Sequence, residues 1–142
     1  MDIDSSDIEN LEVYQLASNI SDTLWELVNS WTQFEKHSLG SELVTTSDSI
    51  AASIAEGFSK ESYQDNIRCI YSAIGSFNKV EYWIKVSHKR KLISDITVQQ
   101  IDPLMDELAR RLNTYLNSIG KHRQEQTSNY KLLTRNKTYA NI

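Results

Sequence analysis

The sequence has little of what turn-rich or disulfide-bonded folds require. Its 142 residues include one proline, four glycines and one cysteine. So few turn-forming residues favour long helices over a strand-and-turn protein. The single Cys69 excludes an intrachain disulfide and a cysteine-rich zinc site.

Long apolar runs are also missing, since no stretch approaches the roughly 20 residues that a membrane-spanning helix needs. The acidic start, Met1-Asp2-Ile3-Asp4, is unlike a signal peptide. Hydrophobic residues make up 39% of the chain and charged residues 24%, which is ordinary for a globular domain. We therefore expect a cytoplasmic protein with one domain and no membrane partner.

Charge is distributed unevenly along the chain, although the net charge is only -4. Residues 1–62 hold twelve acidic and two basic side chains, a sum of -10. Residues 63–142 hold seven acidic and thirteen basic side chains, a sum of +6. The asymmetry has two explanations, an anionic partner for the basic half or attraction between the two halves.

Apolar residues recur every three or four positions in four stretches, the period of a helix face. These stretches predict helices at about 7–31, 41–56, 63–88 and 97–120, the first capped by Ser6 with Glu9. The segment 32–40 has no sustained period and is predicted to be a connection. Short links between four helices predict an all-α, antiparallel up-down-up-down four-helix bundle over residues 7–120. We expect a disordered lead at 1–6 and a flexible basic tail at 121–142.

Two helix-breaking residues lie inside these stretches. Pro103 either begins the fourth helix at Asp102 or kinks a longer helix that Thr97 caps, and the longer helix is favoured slightly. Gly75 lies in mid-helix, where glycine costs about 1 kcal/mol relative to alanine. A close approach of Gly75 to Thr45 is the predicted reason.

The segment from Ser49 to Lys60 is the least generic part of the chain. Small residues separate Ile50 from Ile54, so we expect this helix to lie deep, with neighbours on several sides. Glu56 opposes the helix dipole, and we expect it to accept hydrogen bonds from a loop or a neighbouring helix. A catalytic or metal-binding carboxylate is the alternative. Gly57 is predicted to adopt the left-handed conformation that follows a helix.

This segment resembles the signature Ser-Ile-Pro-x-Asn-Ile-Ala-Glu-Gly of the 23S rRNA-intervening-sequence proteins. Ala51 replaces the proline of the signature, and Ser53 replaces its asparagine. The matching residues are Ser49, Ile50, Ile54, Ala55, Glu56 and Gly57. A second element, Ala-x-Gly-Ser followed by glutamates, is matched by Ala73, Gly75, Ser76 and Glu81, with Lys79 in place of the first glutamate.

The resemblance covers residues 11–119 and carries expectations about assembly and partners. It implies a ring of five four-helix bundles around a central channel. The same fold includes the accessory variability determinant of diversity-generating retroelements, a partner of a reverse transcriptase. A homopentamer with a reverse transcriptase partner is therefore expected from resemblance alone.

A catalytic signature is not apparent in the sequence. The three histidines are widely separated, and the Glu-x-x-His pattern of di-iron bundles does not occur. Glu56 and Glu81 specify no reaction by themselves, and a metal-dependent enzyme would require them to converge on one ion. We predict no catalytic residue, metal or cofactor, and structural roles for both glutamates.

Basic residues favour binding of structured RNA or DNA. The candidate phosphate-binding residues are Lys85, Lys89, Arg90 and Lys91 at the end of the third helix, Arg110 and Arg111 on the fourth, and Lys121, Arg123, Lys131, Arg135 and Lys137 beyond it. A solvated helix cap explains the cluster at the end of the third helix about equally well, and a basic tail is often only a solubilising extension. The alternative function is a protein-interaction scaffold that uses apolar surface at Trp25, Trp31 and Trp83.

Overall fold

Four long helices make up most of the protein. The computed structural model describes residues 8–123, which contain no strand. The helices are α1 (Glu12–Asn29), α2 (Ser41–Phe58), α3 (Tyr63–Lys89) and α4 (Asp95–Arg123). The prediction of an all-α four-helix bundle is confirmed. The expected lead and residues 124–142 of the expected tail lie outside the described residues.

One apolar core joins the four helices, because each contributes a stripe of buried side chains. Leu24 on α1, Ile50 on α2, Phe77 on α3 and Leu108 on α4 are all fully buried. Helix α1 packs against α2 and α4, and α3 packs against the same two helices. Each such side chain stabilises the fold by about 1.5–3 kcal/mol through removal from water.

Contacts between neighbouring helices show their relative direction. A Cβ on Gly40 would lie 2.6 Å from Val28 Cγ1, so the end of α1 meets the start of α2. Further along, Ser21 Oγ donates to Asp48 Oδ1 at 2.5 Å and lies 3.4 Å from Ser47 Oγ. Residue numbers fall along α2 as they rise along α1, so these two helices are antiparallel. The up-down-up-down order of all four helices stays a prediction.

The first helix begins later than predicted. Ile8 and Glu9 form a separate helical turn, and extended backbone at Leu11 (ψ 112°) breaks it from α1. The Leu11 side chain makes no capping hydrogen bond, and the backbone N–H of Leu11 donates to Ile8 O at 3.0 Å. The apolar period continues across this break, which is why the sequence alone placed the start too early.

The predicted connection at 32–40 is wrong, because residues 33–40 are helical. Thr32 Oγ1 accepts from Glu35 N at 3.3 Å, while Glu35 Oε1 accepts from Thr32 N at 2.9 Å. This capping box begins the turn Gln33–Glu35, and a π-helix, Lys36–Gly40, leads directly into α2. Because a π-helix has more residues per turn, it rotates the buried face and interrupts the period of 3.6.

Helix α4 confirms the longer of the two predicted alternatives, with Pro103 inside the helix. Its start differs from the prediction, because Ser94 Oγ rather than Thr97 caps it, accepting from Thr97 N at 3.1 Å. Its end differs too, since the helix continues through Gly120 to Arg123. Within residues 8–123, no helix has both the length and the apolar composition to cross a membrane.

Candidate nucleic-acid interface

The turn between α3 and α4 presents three consecutive cations to solvent. Lys91 adopts a left-handed conformation with φ 65°. Its N–H donates to His88 O at 3.0 Å, and Leu92 N–H donates to Ser87 O at 2.8 Å. This is the Schellman arrangement, which normally uses glycine at the left-handed position. The turn is therefore fixed by its own backbone hydrogen bonds.

Lys89, Arg90 and Lys91 are all exposed at this turn. Within residues 8–123, none of the three forms an ion pair. Nearby, His88 Nε2 lies 2.6 Å from Asp95 Oδ1, which joins the end of α3 to the start of α4. Three positive charges at one tight turn, with the Asp95 carboxylate in the same cleft, can bind phosphate groups, and we name Lys89, Arg90 and Lys91 the basic turn.

The remaining predicted cations are not gathered at this turn. Lys85, one helical turn earlier, is half-buried and makes interactions within the chain. Arg110 is exposed, but it lies fifteen residues after Asp95, or about 22 Å along α4 at 1.5 Å per residue. Lys121 is exposed still further along the same helix. The side chains of Arg123, Lys131, Arg135 and Lys137 lie outside the described residues.

Arg111 has a structural role that the sequence did not reveal. Its guanidinium contacts the Glu12 carboxylate on α1 and donates from Nε to Glu107 Oε1 at 3.1 Å. The side chain therefore holds the start of α1 against α4. Since both contacts use its charge, Arg111 is a weaker candidate for phosphate than the basic turn.

Glu56 is exposed, contrary to the predicted hydrogen bonding from a loop or a neighbouring helix. Its Oε1 lies 3.9 Å from Lys60 Nζ, four residues further along the chain. Among the described residues this lysine is the partner that compensates the charge at the end of α2. The carboxylate is tolerated there because water and a nearby cation solvate it.

Gly57 contradicts the prediction of a left-handed conformation, because it is helical and buried within α2. A Cβ at this position would lie 2.5 Å from Asn66 Oδ1 and 2.8 Å from Cys69 Cβ on α3. Glycine is required here because two helices approach closely. The signature residue Ile54 is fully buried one turn earlier, whereas Ser49 is half-buried.

Cys69 lies beside this contact, and its thiol has a raised pKa. Burial raises the pKa of Cys69, and the negative charge of Glu56 raises it further. Lys60 opposes these effects, because its positive charge favours the thiolate. The neutral thiol is thus favoured in the folded protein.

Glu56 and Glu81 do not converge. Glu56 influences Cys69 near the start of α3, whereas half-buried Glu81 follows Cys69 by twelve residues. Twelve helical residues span about 18 Å. Within residues 8–123, no group of three or more His, Cys, Asp or Glu side chains has a geometry that could hold a metal ion. The convergence that a metal-dependent reading requires is not formed.

Gly75 also differs from its prediction. It is exposed, and a Cβ placed on it would meet nothing within 4 Å, so Thr45 does not approach it. Its neighbour Ser76 is half-buried. The small residues of α2 are likewise less enclosed than expected, since Ala52 is exposed. Gly75 and Ala52 therefore form surface within the single chain, whereas the signature residue Ala73 is fully buried.

The exposed aromatic residues are not the three tryptophans that were predicted to form apolar surface. Trp31 is buried in the core and Trp83 is half-buried, so only Trp25, at 56% exposure, remains open to solvent. The sequence did not single out Phe34, at 81%, or Tyr82, at 58%. The Tyr82 ring packs edge to face on Trp83, with centroids 5.0 Å apart.

Fold and surface together define an all-α bundle protein that displays a basic turn. Its sequence matches the family described as 23S rRNA-intervening sequence protein over residues 9–114. That match covers most of the chain, and the protein belongs to this family. The resemblance seen in the signature residues is confirmed. A comparison with curated proteins gave no match.

Proposed function

We propose that this protein is a non-enzymatic, cytoplasmic homo-oligomer, pentameric as the resemblance implies, that binds structured RNA or DNA. The observation that carries the proposal is the basic turn, where Lys89, Arg90 and Lys91 are exposed together. Phosphate neutralisation by lysine and arginine supplies most non-specific nucleic-acid affinity. An oligomer multiplies this modest patch, because each copy contributes one basic turn.

Structured RNA is the first ligand to test, since the family description refers to 23S rRNA. The acidic pI of about 5.3 supports binding confined to one region rather than spread over the surface. We also propose a reverse transcriptase as protein partner. This part of the proposal rests on the resemblance to the accessory variability determinant.

A titration against a structured RNA and a duplex DNA, at several salt concentrations, tests the proposal. Replacing Lys89, Arg90 and Lys91 with glutamine is expected to weaken binding and to flatten its salt dependence. Three lost contacts on duplex DNA reduce the slope of log affinity against log salt by about 2.7. A chain ending at residue 123 shows the share contributed by residues 124–142.

Arg111→Gln is the matched control, because Arg111 already contacts Glu12 and Glu107. Its salt slope is expected to equal that of the unaltered protein. Binding lost only on truncation would transfer the contact from the basic turn to the tail. An absence of binding at low salt would overturn the nucleic-acid proposal for these ligands.

A protein-interaction scaffold is the second candidate, and the exposed aromatic side chains favour it. Trp25, Phe34 and Tyr82 each expose more than half of their surface. Aromatic residues are enriched at protein interfaces and depleted from ordinary surfaces. A partner retained at high salt, in the absence of nucleic-acid binding, would support this function.

A further inference from the structure

Two exposed aromatic side chains mark two separate faces of the bundle. On α1 and α2, Trp25 borders a groove of about 270 Å³ that includes Asn29, Val44 and Thr45. Asp22 lies three residues before Trp25, and Asp48 three residues after Thr45, so helix spacing places both exposed acids on the surface that contains the groove. We call Asp22, Trp25, Asn29, Thr45 and Asp48 the Trp25 face.

The second face lies on α3. Gly75 precedes Tyr82 by seven residues and follows Arg68 by seven, so all three lie along one line of the helix. Lys79 is one turn from both Gly75 and Tyr82, and all four residues are exposed. We call Arg68, Gly75, Lys79 and Tyr82 the Tyr82 face.

Gly75 indicates that the Tyr82 face meets another backbone. A mid-helix glycine is less stable than alanine by about 1 kcal/mol, and close packing is the usual compensation. Within residues 8–123, no atom approaches a Cβ built on Gly75 to within 4 Å. A neighbour that compensates for Gly75 would lie beyond residues 8–123, on the side where Tyr82 is exposed.

Opposite charges indicate that the Trp25 face is complementary to the Tyr82 face. The Trp25 face carries Asp22 and Asp48, with half-buried Lys36 lining the groove. The Tyr82 face carries Lys79, which has no ion pair within residues 8–123 but shares a groove with the exposed Glu42 of α2. It also carries Arg68, which lies 3.5 Å from Asp65 in an exposed pair. Exposed pairs of this kind are weak, so Arg68 remains able to exchange partners.

We propose that the Tyr82 face of one copy packs against the Trp25 face of a second copy. Pairing the Trp25 face with itself would bring Asp22 and Asp48 against acids, which charge repulsion disfavours. Pairing the two different faces joins opposite charges and covers both aromatic side chains. Such a head-to-tail contact closes a ring when its rotation permits and otherwise forms filaments.

This inference rests on the homo-oligomer of the proposed function and specifies the surfaces that build it. A head-to-tail contact makes a prediction that a self-pairing contact does not. A copy with a damaged Trp25 face and a copy with a damaged Tyr82 face each retain one intact half of the same interface. Mixed together, the two copies can form only one contact.

Sedimentation of the full chain tests this arrangement with Trp25→Lys and Tyr82→Glu, each of which adds a charge that repels the opposing face. Each variant alone is expected to be monomeric, with association weakened at least tenfold. An equimolar mixture is expected to form a 1:1 dimer. Circular dichroism confirms that each variant is folded, and Asp22→Lys with Lys79→Glu repeats the test if either is not.

Gln99→Lys and Gln100→Glu are matched controls, because both side chains are exposed on α4, which carries neither face. They are expected to assemble like the unaltered chain. An assembly that survives Trp25→Lys and Tyr82→Glu would overturn the interface but leave an oligomer. A single variant that still dimerises would overturn the head-to-tail pairing. A monomeric unaltered chain that binds RNA would overturn the inference while the nucleic-acid function stands.

Discussion

Two glycines of the family signature lie in helices for opposite reasons. Gly57 is buried where Asn66 and Cys69 leave no room for a methyl group, so a side chain there must displace α3. Gly75 faces open space, and nothing within residues 8–123 opposes a side chain there. Both positions are glycine, but replacing the two glycines is expected to change the free energy of unfolding in opposite directions.

We therefore predict opposite effects for Gly57→Ala and Gly75→Ala in the Trp25→Lys chain, where association is removed. Gly57→Ala is expected to lower the free energy of unfolding by about 1–3 kcal/mol through overpacking. Gly75→Ala is expected to raise it by up to about 1 kcal/mol through helix propensity. Urea unfolding measures both changes, and a similar loss in the two variants would contradict the contrast.

The raised pKa of Cys69 gives a prediction for a single titrating group. Burial and Glu56 both disfavour the thiolate, so alkylation of the folded protein at mildly alkaline pH is expected to be slower than that of the unfolded chain. Glu56→Gln is expected to lower the pKa of Cys69 by removing a negative charge. The pH dependence of the alkylation rate measures the shift, and this sole cysteine makes the reaction specific.

Lys60→Gln is the matched control for this measurement, because the charge of Lys60 acts in the opposite direction. Its removal is expected to raise the pKa of Cys69. Shifts of the same sign in the two variants would show that their charges do not govern the thiol.

At the scale of elements, the helix period predicted the buried stripes of the regular helices. It did not predict the residues at which the regular helix is interrupted. The α3 seam, from Ile67 through Ile74 to Ile84, is buried as its spacing indicates. The π-helix at Lys36–Gly40 was not predicted, because one additional residue per turn resembles an absence of pattern. The left-handed Lys91 was not predicted either, because lysine gives no signal for that conformation.

Replacing Lys91 with glycine is expected to stabilise the α3–α4 turn. A left-handed conformation costs a residue with a Cβ about 1–2 kcal/mol, and glycine avoids that cost. We expect the free energy of unfolding to rise by about 1 kcal/mol and the melting temperature by about 4 °C. Calorimetry measures the change.

Arg90→Gly is the control for this replacement, because Arg90 has an ordinary φ of -84°. It is expected to destabilise the turn slightly, since glycine loses more backbone entropy on folding. Equal effects of the two replacements would show that the turn does not strain Lys91. Weaker nucleic-acid binding by the more stable Lys91→Gly protein would show that the charge of Lys91 contributes to binding, while its left-handed conformation lowers stability.

At the scale of the whole molecule, the charge asymmetry serves two purposes. Arg111 on α4 meets Glu12 on α1, so part of the attraction between the basic and acidic halves acts within the fold. The basic turn and Lys79 have no such partner within residues 8–123. Their charges are those that we propose bind phosphate groups and the acidic face of a second copy.

The sequence by itself determined the helical class, the core stripes and the family, because each depends on spacing along the chain. It also located the basic turn, since consecutive residues stay together in any fold. Only the tertiary structure decided that Arg111 is engaged, that Glu56 and Glu81 are separated, and that Gly75 and Trp25 face outwards. Those outcomes depend on which neighbouring helix lies opposite each side chain. A helix period indicates which side of a helix is buried, but it does not indicate which residues of the other helices pack there.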